Sequence, residues 1–182
     1  KTIRTLCAII LCITTLLGAQ FVAPFSAYAA KQSTVYSIAT DIINWKKSTV
    51  GSNADGYLMN DGFLSLAGTT PGDWYPIGLG RLGITDNQTG YLAVINETVQ
   101  KRYQTAEKLD RTKATEWHRI SLAVLASGGD PRHMGANREI DLIADGTYNR
   151  GLTVSPGRQG INGWIWGLIA LDSKRYEVPS DA

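Results

Sequence analysis

The chain has 182 residues, with 18 Lys and Arg against 16 Asp and Glu, and 43% of its residues are hydrophobic. That length suits one domain, and a near-neutral balance without a basic patch argues against a nucleic-acid partner. Both cysteines, Cys7 and Cys12, precede residue 31, so the remainder can form no disulfide or thiolate metal site and carries no cysteine nucleophile.

Lys1 and Arg4 form a basic start, residues 6–17 an apolar core, and Ala27-Tyr-Ala29 a small-x-small site. Together they predict a secretory signal peptide over residues 1–30, cleaved after Ala29 or Ala30. Residues 31–182 are then one exported domain, secreted or held at the cell surface. The chain starts without a methionine, and a longer reading frame is expected.

In chain order, Val35, Ile38, Ala39, Ile42 and Trp45 recur at helical spacing, closed by Lys46 and Lys47. After a loop over residues 51–56, a short helix is expected from Leu58 to Leu66, ended by Gly68 and Pro71. Asp73 reads as the N-cap of a helix from Trp74 to Leu82, with Pro76 in its first turn and with Trp74, Ile77 and Arg81 on one side. Asp86-Asn87 caps the next helix, whose stripe is Tyr91, Ile95, Val99 and Tyr103. A helix from Thr112 to Ser127 turns Ala114 and Trp117 inward and Glu116 and Arg119 outward, and Gly128-Gly-Asp-Pro131 stops it. Asn137 is expected to cap a helix over residues 138–144.

Residues 160–171 are apolar on almost every face, which predicts a helix buried on all sides and central to the chain. Gly163 and Gly167, four apart, would let a neighbouring helix approach closely. The run from Ile161 to Leu171 is too short to span a bilayer, and no membrane span is expected after the signal peptide. No segment alternates with period two. The expected class is all-α, an array of short helical hairpins.

Gly78-Leu-Gly-Arg-Leu-Gly83 matches a dinucleotide-binding glycine pattern, but the proline-containing run before it predicts no strand, which that site requires. His118 and His133 lack carboxylates at ligand spacing, so no metal or cofactor is predicted, and His118 is expected at a surface or cavity rim. No Gly-x-Ser-x-Gly elbow marks a catalytic serine. Trp45 and Trp117 read as packing between helices.

The order Thr115-Glu-Trp-His-Arg-Ile-Ser-Leu-Ala-Val-Leu-Ala-Ser-Gly-Gly-Asp-Pro131, Ile140-Asp-Leu-Ile143 and Gly160-Ile-Asn-Gly-Trp-Ile-Trp-Gly-Leu-Ile-Ala-Leu-Asp172 resembles the α/α toroid of terpenoid cyclases and protein prenyltransferases. It is most similar to the secreted bacterial prenyltransferase and squalene-oxidase repeat branch, over about residues 34–179. The resemblance implies hairpins of inner and outer helices around a central cavity, with residues 31–182 supplying part of the ring. The superfamily's Asp-rich acid motif and its Cys-containing zinc set are both missing from residues 31–182.

The implied function is therefore a non-catalytic module binding a small apolar ligand or a cell-surface partner. Two alternatives stay open: a cyclase-like isomerase or lyase whose acid lies beyond residue 182, and a corrinoid carrier of the kind that shares this fold. In the implied cavity, Trp74, Tyr75 and Arg81 on one inner helix face Trp164 and Trp166 on another. The aromatic walls would enclose the ligand, and Arg81 would orient its polar end.

Overall fold

Side-chain caps set where most of the helices begin. The computed structural model describes residues 33–49 and 56–180; the expected signal peptide lies outside the described residues. The chain divides into two units, Lys1–Gly51 and Ser52–Ala182. In the first, residues 33–49 form one helix, α1. Trp45, expected to pack, is 61% exposed there.

In the second unit, Asn60 caps the single turn α2 (Asp61–Leu64) by accepting from the Phe63 N–H at 3.2 Å. Thr69, not Asp73, caps α3 (Thr70–Leu82), with Pro71 rather than Pro76 in the first turn. Gly83, at φ 67°, ends α3 in the left-handed conformation that only glycine adopts freely. Asn87 caps α4 (Gln88–Arg102) through the Gly90 N–H at 2.9 Å, as expected. The α4 stripe Tyr91, Ile95 and Val99 is fully buried. Helix α5 is Thr115–Ala126. Asp141, not Asn137, caps the short α6 (Leu142–Gly146), accepting from the Ile143 and Ala144 N–H groups. A 3-10 turn (Pro156–Gln159) leads into α7 (Ile161–Asp172). No strand occurs among the described residues, only a lone bridge between Met134 and Ile140. The class is all-α.

The central helix is α5, which packs against α3, α6 and α7. Trp117, Ile120, Ala123 and Val124 are fully buried on it. Close approach to its neighbours is bought with small residues. A Cβ on Gly80 of α3 would lie 2.2 Å from the Ala126 carbonyl oxygen, so only glycine lets the two backbones meet there.

The helix over residues 160–171, expected to be wrapped on all sides, is not. Helix α7 turns Gly163, Gly167 and Ala170 inward, and these are its only buried residues. Its large side chains point away: Trp164 is 53% and Leu168 65% exposed. A helix packs closest through its smallest stripe, and here that stripe sends the bulky apolar residues to solvent.

Two α5 residues also depart from expectation. His118 is 1% exposed, not at a rim, with its Nε2 2.8 Å from the Gly146 carbonyl oxygen of α6. Its Nδ1 has no partner among the described residues. Burial pushes its pKa down to about 4, the Arg150 charge adds to that, and the Gly146 hydrogen bond opposes it. Arg119 is buried rather than outward.

Candidate binding site

Helices α3, α5 and α7 run side by side in one direction. Their N-terminal parts, marked by Thr70, Thr115 and Asn162, line one cavity of about 340 Å³. Their C-terminal parts, marked by Arg81, Ala126 and Ser173, line a second of about 550 Å³. On α3 the lining residues Thr70, Trp74, Ile77 and Arg81 follow the helical repeat. Glu116, Arg119, Leu122 and Ala126 do so on α5, and Asn162, Trp166, Ile169 and Ser173 on α7. The two cavities therefore lie along one face of the three helices, a trough with α5 as its floor and α3 and α7 as its walls, either side of the contact between Trp74 and Trp166.

The trough changes character along its length. At the N-terminal end, Trp74 and Trp166 meet edge to face, with ring centroids 5.6 Å apart at 66°. Below them are Ile77, Leu122, Leu125 and Ile169. At the far end stand Arg81, Asp172 and Lys174.

The floor at the aromatic end is an ion cluster. Arg119 uses all five of its N–H donors. Its Nε donates to Asp73 at 2.8 Å, its Nη1 to Glu116 at 2.6 Å and Thr70 at 3.3 Å, and its Nη2 to Glu116 at 2.8 Å and the Gly68 carbonyl at 3.2 Å. Asp73, fully buried beneath it, also accepts from the Tyr91 hydroxyl and the Gly68 N–H, both at 2.8 Å. Burial pushes the Asp73 carboxyl up from its ordinary value, against the downward pull of Arg119, Tyr91 and the Gly68 N–H. The cluster ties α3, α4 and α5 together, and it leaves Glu116 at the trough surface. Sequence reasoning missed Glu116 and Arg119 as site residues. Their i, i+3 spacing was visible, but the partner that draws Arg119 inward, Asp73, is 46 positions away.

Of the five residues expected to share a cavity, the structure brings Trp74 and Trp166 into contact and sets Arg81 on the same face at the other end. It does not bring the other two there. The Tyr75 hydroxyl donates to Asp86 at 3.2 Å, and its ring meets Phe63 edge-on at 5.4 Å. Burial and the Asp86 charge hold that hydroxyl's pKa above its ordinary value. Asp86 also accepts from the N–H groups of Leu58, Met59 and Asn87, so Tyr75 helps pin the segment before α2 to the α3–α4 turn. Trp164 lies on another side of α7, in an apolar groove of about 350 Å³ with Pro156, Leu168, Leu171 and Val178. The expected pair of facing aromatic walls is thus corrected to one aromatic corner, Trp74 with Trp166.

The glycine pattern over residues 78–83 lies within α3 and its C-cap, where Gly80 makes room for α5 and Gly83 takes the left-handed turn. Its glycines thus lie at the end of a helix rather than between a strand and a helix start, where that site would need them. Among the described residues no group of three or more His, Cys, Asp or Glu side chains could hold a metal ion. No helix there is long and apolar enough to cross a membrane. No protein-family model, curated protein or solved structure matches the chain.

Proposed function

We propose that the protein is a non-catalytic binding module of the α/α-toroid kind, acting outside the cell, whose α3–α5–α7 trough holds an elongated, largely apolar ligand. The observation that carries this reading is that both cavities lie on one face of the same three helices. One face of three parallel helices runs from an aromatic corner, over Ile77, Leu122 and Ile169, to the cations Arg81 and Lys174. Such a face can bury an apolar body and orient a polar end, which is how ligand pockets combine affinity with specificity. Three like-directed helices with α4 and α6 on the return paths are also the arrangement that an inner ring and its outer partners would have. Export rests on the signal-like residues 1–30. The carboxylates of the trough, Glu116 and Asp172, stand at opposite ends, and Glu116 is clamped by Arg119. That favours holding a ligand over proton transfer to it.

Titration with decanol and decyl phosphate, followed by tryptophan fluorescence, tests the reading. Both probes should give saturable changes, with the phosphate bound more tightly. Arg81→Ala should weaken that preference, with Lys174 still in place, and leave the melting temperature unchanged, because Arg81 is exposed and Ala favours a helix. No saturable change with either probe would end the proposal.

A further inference from the structure

We infer that the N-terminal end of the trough is a saccharide subsite, which takes an uncharged sugar ring stacked on Trp74 and hydrogen-bonded by Asn162 and Glu116. The inference rests on the reading of the trough as a binding face, and it names the chemistry of one end.

A large aromatic ring has no reason of its own to remain in water. Trp74 is 46% exposed and meets Trp166 edge to face. The part of the ring left open is a platform for a flat apolar surface. The groups around that platform are polar, however, and they have capacity left. Each Glu116 oxygen accepts one bond from Arg119, which leaves it free to accept another. The Asn162 carboxamide is exposed and has no hydrogen-bond partner among the described residues, so it offers both donors and an acceptor. A pyranose matches this combination. Its C–H face is apolar, and its rim of hydroxyls both donates and accepts.

Other ligand classes fit less well. An anion would meet the Glu116 carboxylate, and the one nearby guanidinium has no N–H left to give it. An organic cation would have to compete with Arg119, which holds both Glu116 oxygens, and would face the positive ends of α3, α5 and α7. A wholly apolar group would strip water from Asn162 and Glu116 and give nothing back. The volume, about 340 Å³, lies at the small end of ligand pockets, the scale of a single ring or a disaccharide.

The test presents the chain with glucose, N-acetylglucosamine, cellobiose and chitobiose, beside tetramethylammonium chloride and sodium phosphate. Binding is read by calorimetry and by saturation-transfer NMR. At least one saccharide should bind saturably. Trp74→Ala should abolish that binding, and Asn162→Ala should weaken it about two- to tenfold, the worth of one hydrogen bond. Asn162→Ala alters an exposed side chain only, so its melting temperature should not move and a folding defect cannot imitate the effect. The inference fails if no saccharide binds, if tetramethylammonium or phosphate binds instead, or if saccharide binding survives Trp74→Ala. If the decyl probes saturate while every saccharide fails, the subsite is overturned and the trough reading stands. If a saccharide binds while neither decyl probe does, the elongated-ligand reading falls and the subsite remains.

Discussion

Helices α5 and α7 are each 12 residues long, and their sequences point the wrong way. Helix α5 carries Glu116, His118, Arg119 and Ser121, yet it is the buried one. Helix α7 has only Asn162 and Asp172 as polar side chains, yet its bulky residues face solvent. Two physical facts separate them. The charged and ring groups of α5 find partners, Arg119 in Asp73 and Glu116 and His118 in the Gly146 carbonyl, and only the small Ser121 hydroxyl is buried without one among the described residues. Helix α7 meets its neighbours through glycine and alanine, and so spends its apolar surface elsewhere. Burial follows the face a helix can pack, more than its average hydrophobicity.

The widest gap should appear between the two tryptophans. Trp117 is fully buried, donates to the Tyr103 hydroxyl at 2.7 Å and lies under the Arg150 guanidinium, 4.4 Å from its ring. Trp117→Ala should cost about 3–5 kcal/mol in urea unfolding. Trp164→Ala should cost at most about 1 kcal/mol, as a half-exposed residue would. Equal costs would mean that something covers α7 in solution.

Next in size is an acid effect confined to α5. The folded pKa of His118, about 4, lies below its ordinary value of 6.5. The unfolded chain therefore binds the proton first as pH falls. The contribution of neutral His118 is complete above about pH 6.5 and is lost progressively down to about pH 4, a span worth about 3 kcal/mol. In His118→Gln, whose amide can still donate to Gly146, the fall in stability over that window should be smaller by about this amount. Equal pH profiles for the two proteins would show that His118 titrates normally.

The finest distinction lies within the packed stripe of α7. A Cβ on Gly163 would lie 2.0 Å from the Pro156 carbonyl oxygen, a backbone atom that cannot step aside. Gly163→Ala should cost about 1–3 kcal/mol. On Gly167 a Cβ would sit 3.6 Å from His118 and Thr147, an ordinary contact. Gly167→Ala should instead stabilise by about 0.5–1 kcal/mol, through the higher helix propensity of Ala. Thermal unfolding of both variants would separate the two glycines.

What the sequence revealed was local. The Asn87 cap, the Tyr91–Ile95–Val99 stripe and the common face of Trp74, Ile77 and Arg81 all follow from helical spacing. What stayed hidden depends on partners far along the chain. Asp73 resembles a cap until Arg119 is seen above it, and Arg119 resembles a surface residue until Asp73 is seen below. One error was avoidable. Trp164 and Trp166 are two positions apart, about 200° round a helix, and cannot line one cavity. Likewise Trp74 and Tyr75, adjacent in sequence, were bound to diverge.

The common direction of α3, α5 and α7 sets a timetable for the chain as it is made. Parallel neighbours cannot be joined by a tight turn, and the starts of α5 and α7, Thr115 and Ile161, are separated by roughly 45 residues. At ordinary synthesis rates that separation is roughly 2–9 seconds. During this interval α5 leaves the ribosome with α3 already available to cover one flank. The flank that will receive Gly163 and Gly167 stays bare until α7 follows. A chain that folds as it is made would thus pass through a stage in which its most buried helix is half-clothed, and this is when a chaperone, or a neighbouring nascent chain, would have its best opportunity to bind.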